Sequence, residues 1–471
     1  MGNQDFKKSL AAVVFLVLWL TGCGSSNSPA DSAPLASAAT SSTDVTVRHI
    51  LQRSLDADIS SLSVGARDID GALVQPLQLF NRAPSITLSV PQDSAVLEIE
   101  YLDSDGNTVG RYRSTIDPNE GPIIIDNPAW VDSEQIDPTV YRFGFMGCNR
   151  LGFGELSDDN PSSANRAQLV ADFNALPQVQ PPVSHLFMAG DLVTNLDPGT
   201  ETLQSQLSGW LDLLTTTALP ASGIELVTFT GNHEVLFSQK DPDTGEFVEM
   251  PNPATLPVWT TLMEAYIKGD DGPTTSLPNS DQLTQDQSEL SYTYQDGNVL
   301  FIILNTDTFI DDTTLGDVPL NWLEDQLNLA TNDPSVENVF VMGHKPVISP
   351  PGATEPPGAG SIRSEEKQPM AQLLDEHPKV RGYLCAHAHL WDFQTLEGGV
   401  PQVIAGNAGS QVEPPFDDTG RGYFGYTLFS LHASGTVHLE SWGRPIPDPY
   451  NSDAPQPAAT LKEMRVLSTL E

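Results

Sequence analysis

Residues 141–154 read YRFGFMGCNRLGFG, an apolar run from Tyr141 to Met146 that stops at Gly-Cys-Asn-Arg. The run has the length and apolarity of a strand buried on both faces. Such a strand delivers Cys148, Asn149 and Arg150 to the loop beyond its end, in a chain with only three cysteines. Whether that placement carries chemistry depends on what the other strands deliver.

Six further runs are of the same kind: HLFMAG, ELVTFTG, VLFIILN, NVFVMG, VRGYLCA and PQVIAG. After the first strand comes SSANRAQLVADFNAL, with Leu169, Val170, Phe173 and Leu176 at helical spacing and Ser163 as the expected N-cap. LNWLEDQLNLA and PMAQLLDEH repeat the helical pattern. Strands alternating with helices predict an α/β domain over residues 138–445, its sheets covered and its ligands held at strand ends. Upstream, residues 44–131 read as all-β. VLEIEY alternates Leu97, Ile99 and Tyr101 with Glu98 and Glu100, DSDGNT supplies turn residues, and VGRYR returns. A hairpin within a small Ig-like sandwich is expected there, with no residue that suggests chemistry. Residues 446–471 are left as a C-terminal tail.

Polar residues follow several of the apolar runs directly. MAGDLVTN contributes Asp191, FTGNHEV contributes Asn232 and His233, VMGHKP contributes His344, and LCAHAHL contributes His387 and His389. Each alone is weak, because Gly-Asp after a strand is ordinarily a turn and a single histidine is ordinarily structural. His387 and His389 are stronger, since an extended i, i+2 pair projects both imidazoles to one side. Neutral imidazoles gathered beside carboxylates point to a metal.

In this order the motifs resemble those of the calcineurin-like metallophosphoesterases, which include the purple acid phosphatases and the alkaline phosphatase D type. The family series runs Asp-x-His, Gly-Asp, Gly-Asn-His-Asp/Glu, a lone His, then Gly-His-x-His. Here it reads GCNR, GDLVTN, GNHE, GHKP and AHAH, and the resemblance spans about Tyr141 to Trp442. It implies a four-layer fold of two β-sheets between helices, and two metal ions bridged by one carboxylate. By position Asp191 is that bridge, Asn232, His344 and His387 complete one site, and His389 belongs to the other. A metal-bound hydroxide then attacks phosphorus, and His233, which is not a ligand, protonates the leaving oxygen. Glu234 is either part of that machinery or a surface charge.

The opening stretch departs from the pattern. Cys148 stands where the family has its aspartate, and Arg150 where it has a histidine. A thiolate is an anionic ligand that favours iron or zinc over magnesium or calcium, and the alkaline phosphatase D type is similar in placing a cysteine here; iron, zinc or manganese are the expected metals. Cys148 is therefore read as a ligand, with a Cys148–Cys385 disulfide as the alternative. Guanidinium has no lone pair to give, so that site keeps Cys148, Asp191 and His389 and binds its metal more weakly or with more open positions. Two readings stand for Arg150: a fork onto substrate phosphate, or pairing with one of the many acids. Long insertions after GNHE and after His344 are expected to form binding loops, with Lys345 and Arg363 as scarce cations in the second. The remaining histidines, His49, His185, His377, His432 and His438, are assigned structural roles.

Composition bounds the rest. With 22 basic and 62 acidic residues, the 471-residue chain carries a net charge of −40, which excludes a nucleic-acid backbone as partner. The same coat suits a salty medium. At the N-terminus, Lys7 and Lys8 precede an apolar core that ends at Leu20-Thr21-Gly22-Cys23. This resembles a bacterial lipoprotein signal over residues 1–22, with Cys23 lipidated and residues 23–43 as a tether. An ordinary signal peptide is the alternative. The expectation is an outer-membrane lipoprotein, periplasmic or cell-surface, that meets the membrane through its lipid, takes a phosphate ester as substrate and shows no evident protein partner. A catalytically degraded scaffold with a binding role is the alternative function, motivated by Arg150 and by Ala386 in place of the usual glycine.

Overall fold

The computed structural model describes residues 139–151, 162–275, 281–350, 361–412, 422–447 and 456–467, apart from 243, 312–313, 316–317 and 433–434. It also describes the strand segments 42–49, 61–67, 73–81, 85–91, 96–102, 108–115 and 123–125. The expected signal segment, Cys23 and the tether as far as residue 41 lie outside the described residues, as does the centre of the loop after His344, whereas the last two tether residues, Ser42 and Thr43, already belong to a strand. No helix among the described residues is long and apolar enough to cross a membrane.

The N-terminal segments form two sheets. Strand Ser42–His49 lies between Ser85–Pro91 and Ile123–Ile125 in one. The other runs Leu73–Asn81, Ser61–Arg67, Val96–Leu102 and Thr108–Thr115. Leu97, Ile99 and Tyr101 are fully buried, as their alternation requires. Strand Val96–Leu102 pairs antiparallel with Thr108–Thr115, which is the expected hairpin.

The rest is mixed α/β. One six-stranded sheet runs Glu225–Phe229, His185–Ala189, Thr139–Met146, Phe424–His432, Val437–Arg444 and Thr460–Leu467. Its first three strands are parallel, and the last three are added antiparallel. The second runs Tyr292–Asp296, Val299–Leu304, Asn338–Gly343, Val380–Cys385, Pro401–Ala405 and Trp391–Thr395, with its four central strands parallel. All seven apolar runs read from the sequence are strands of these sheets.

Alternation along each strand sorts side chains into three cores. Phe143, Phe145, Phe187 and Phe229 of the first sheet meet Phe301, Ile303, Phe340 and Met342 of the second. Leu186 and Met188 turn the other way, onto Leu169 and Phe173 of helix Ser162–Ala175 and Leu207 and Trp210 of helix Glu201–Thr215. Ile302, Leu304 and Val341 pack on Trp322 and Leu327 of helix Leu320–Asn332 and on Met370 and Leu374 of helix Ser364–Asp375. Helix Ser162–Ala175 begins one residue before Ser163, so that serine lies in the first turn and not at the cap. Cys148 and Cys385 are both free thiols, in the inter-sheet core and in the core on the far side of the second sheet, so the disulfide alternative does not hold. Because the parallel strands point the same way, their C-terminal ends carry Cys148, Asp191, Asn232, His344 and His387 to a common edge.

Candidate metal centre

The loops at that edge are forced into close contact. Gly190 has φ +70°, and a Cβ there would sit 2.2 Å from the Gly231 nitrogen. A Cβ at Gly231 would come 2.4 Å from Asp191 Oδ1. Only glycine lets the two loops approach this closely. Of six non-glycine residues in the left-handed region among the described ones, four are Cys148, Arg150, Asp191 and His387. Such backbone costs roughly 1–3 kcal/mol per residue and persists where the surroundings impose it, which is common at functional sites. Here the strand-end loops lock one another. Cys148 N–H donates to the Gly190 carbonyl at 3.1 Å, and the N–H groups of Asn149 and Arg150 donate to the Asp191 carbonyl at 2.9 and 2.7 Å. From the closing VIAGNAGS stretch, Ser410 N–H donates to the Cys148 carbonyl at 3.0 Å.

Asp191 is fully buried at the centre. Its Oδ1 lies 3.2 Å from His344 Nε2 and accepts the His233 backbone N–H at 3.3 Å. Its Oδ2 accepts Arg150 Nε–H and Nη2–H, both at 2.9 Å. Burial alone would raise this carboxyl, but His344, His233 and Arg150 together hold it well below the usual carboxylate range.

The surrounding donors have their lone pairs set by outer partners. His344 Nδ1–H donates to the Ala189 carbonyl at 2.6 Å, which directs Nε2 inward, 3.1 Å from His387 Nδ1. Asn232 donates Nδ2–H to Glu249 Oε1 at 2.7 Å, which directs Oδ1 the other way, where it is buried with no hydrogen-bond partner. A buried amide oxygen without a donor costs about 1–3 kcal/mol, and a cation is what would relieve it. His389 Nδ1–H donates to the Gln411 carbonyl at 2.8 Å and so keeps its lone pair on Nε2. Cys148, Asp191 and His344 place their ligand atoms within 4.8 Å of one another, the one such group among the described residues. Burial and then Asp191 push the Cys148 thiol well above its ordinary pKa, so a thiolate here requires a cation beside it. Cys148, Asp191 and His344 could hold one cation, with His387 Nδ1 3.1 Å from His344 Nε2 beside them, and Asn232 is a further donor of fitting type.

His233 is 7% exposed beside the centre, its Nε2 3.9 Å from Asp191 Oδ2. Burial, reinforced by Arg150, lowers its pKa to about 4. Glu234, left open above, is no surface charge. Fully buried, it accepts the backbone N–H groups of Gly231, Asp191 and Leu192 at 2.8, 2.9 and 2.8 Å, tying the GDLVTN and GNHE loops together. Lys345 is buried and paired with Asp307 at 2.5 Å, so its charge is met inside the fold and does not lie in a solvent loop. Arg363 pairs with Glu366 at 3.0 Å.

Glu249 was not legible as a site residue. It comes from the hairpin of strands Leu236–Lys240 and Phe247–Pro251, within the insertion after GNHE, and the length of that insertion was its only signal.

No family model and no curated protein matches the chain. Among solved structures it is similar to a dimetal phosphatase from Danio rerio, with 14% identity and a TM-score of 0.42, over 70% of this chain and 100% of that one. It is also similar to PhoD, with 12% identity and a TM-score of 0.42, over 92% of this chain and 87% of that one.

Proposed function

We propose that the chain is a metal-dependent phosphoric-ester hydrolase. The reading takes its fold as a helix–sheet–sheet–helix sandwich preceded by an Ig-like β unit, exported and held at the outer membrane through lipid on Cys23. One observation carries the enzyme reading. Asp191, Asn232, His344 and His387 arrive from four strand ends, His344 Nε2 faces both Asp191 Oδ1 and His387 Nδ1, and Asn232 Oδ1 is buried without a donor. The apolar core ending at Leu20-Thr21-Gly22-Cys23 supports export and anchoring.

These residues, with Cys148 and His389 as further donors, would hold a cation, which would supply positive charge for phosphoryl oxygens and acidify water. Thiolate and imidazole donors favour iron or zinc, while the Asp191 carboxylate also suits manganese. The protein's own groups do the rest. Asn232, His344 and His387 arrive pre-oriented, so little reorganisation accompanies binding. The Arg150 guanidinium stays charged and stands at the rim of the centre, its side chain 24% exposed, where a phosphate monoester or diester would enter. Water oxygen would bond to phosphorus as the ester P–O bond breaks, the proton that water sheds passing to solvent, and the departing oxygen would take a proton from His233. Burial first and Arg150 second hold that imidazole neutral near pH 7 in the ligand-free protein, and a phosphate anion beside it would favour the protonated form.

His233→Ala is expected to lower turnover of an aryl phosphate about 10²–10⁴-fold while metal content stays unchanged. Unchanged turnover in that variant would remove His233 from the mechanism. A degraded scaffold with a binding role is favoured by a single feature, the occupation of Asp191 Oδ2 by Arg150. Purified protein that holds no metal would select that reading.

A further inference from the structure

The two oxygens of Asp191 are used differently, and the difference bears on how many cations the centre holds. This inference rests on the phosphoesterase reading and concerns the stoichiometry of the same site. Oδ1 faces the histidine side, 3.2 Å from His344 Nε2. Oδ2 is the oxygen that a bridging carboxylate would offer to a second cation. It instead accepts two N–H groups of a single guanidinium, Arg150 Nε and Nη2, both at 2.9 Å. Asp191 Oδ2 is therefore taken by a charge that cannot ligate, and it is not free to bridge to a second cation.

From this geometry we infer that the protein holds a single cation, and that the Arg150 guanidinium permanently occupies the place of a second. Three features bear on it. Arg150 is aimed at Asp191 by its own backbone, which sits at φ +46° and is held by its N–H on the Asp191 carbonyl at 2.7 Å. The same residue is therefore tied to Asp191 through both main chain and side chain, an attachment a surface ion pair lacks. Next, the Cys148 ligand atom lies within 4.8 Å of those of Asp191 and His344, so one cation could take all three. Finally, guanidinium offers no lone pair and keeps its charge at any working pH, so it repels a neighbouring metal ion and cannot ligate one. It can still do electrostatic work that a second metal would do, since its fork presents positive charge and N–H donors toward a phosphoryl group at the rim.

The test is metal stoichiometry, which does not depend on turnover. Full-length protein is stripped with chelator and titrated with Mn²⁺, followed by calorimetry and by electron paramagnetic resonance. Wild type is expected to take up about one equivalent and to show the six-line signal of an isolated Mn²⁺. Arg150→His frees Oδ2 and supplies a ring nitrogen, so it should take up about two equivalents, with the six-line signal lost to spin coupling. Arg150→Lys keeps the charge and should remain at about one. Two equivalents of similar affinity in wild type would overturn the inference while leaving the phosphoesterase reading intact. One equivalent in a folded Arg150→His variant would also overturn it, because the guanidinium would not then be what excludes the second ion. If Arg150→His does not fold, wild type and Arg150→Lys decide between one equivalent and two. No uptake by wild type would overturn the phosphoesterase reading, and the inference with it.

Discussion

Strands Thr139–Met146 and His185–Ala189 each carry polar residues at both ends, and the two ends behave differently. At the C-terminal ends lie Cys148 and Asp191. At the N-terminal ends lie Tyr141 and His185, the ring of His185 only 4% exposed. Both places bury an imidazole beside a carboxylate. At the N-terminal end each ring nitrogen is satisfied: Tyr141 Oη lies 2.7 Å from His185 Nδ1, and Tyr294 Oη and Glu225 lie 2.8 and 3.1 Å from Nε2. At the C-terminal end, the ring nitrogens of His344 and His387 face each other, the Asn232 amide oxygen has no partner, and the backbone is strained into the left-handed region. A buried cluster whose polar atoms all find partners stabilises a fold. One with facing nitrogens and an orphaned oxygen can hold a cation.

The contrast can be broken by mutation. The largest effect is expected at Asp191→Asn, which removes the central charge. Turnover of an aryl phosphate should fall on the order of 10³-fold, with loss of bound metal by elemental analysis. Retention of both would mean that the convergence is not a metal centre. Next is Glu249→Leu, which leaves the Asn232 amide without its outer partner. Metal affinity should drop about 10–100-fold in a competition with a chromophoric chelator, and Glu249→Gln, which keeps an acceptor oxygen, should recover most of it. Equal losses in the two variants would make Glu249 a packing residue and not a positioning one.

The smallest effect is expected at the other end. His185→Gln should leave metal content and turnover unchanged within about twofold and cost about 1 kcal/mol in denaturant unfolding. Its pH dependence has a defined sign. Burial, opposed by Asp296 and Glu225, lowers the His185 pKa from 6.5, so the unfolded chain takes up the proton first. The contribution to stability is full above about pH 6.5 and is lost as pH falls below it toward the lowered folded value. The Gln variant cannot be protonated, and its acid branch should be flatter by that amount. A variant with the wild-type acid branch would show that His185 does not titrate in this window.

The sequence by itself determined which residues stand at the strand ends. Apolar runs of strand length read directly because both of their faces are buried, and the residue after each run is necessarily at an end. That reasoning reached Asp191, Asn232, His344, His387 and Cys148, all of which the structure brings to one edge. It also reached the Leu97, Ile99, Tyr101 face of the upstream hairpin. It did not reach strand Thr460–Leu467, which completes the first sheet by pairing with Val437–Arg444 from within the C-terminal segment. TLKEMRVL mixes charge and apolar residues without a clean period, since an edge strand is only partly covered. What only the tertiary structure decided is where each lone pair points and which charge meets which. Glu249 on Asn232, Glu234 across two loops and Arg150 on Asp191 Oδ2 are contacts between residues 3 to 43 positions apart. A hydrogen bond or ion pair depends on ångström distances and angles, and residue order does not encode these until the backbone has folded.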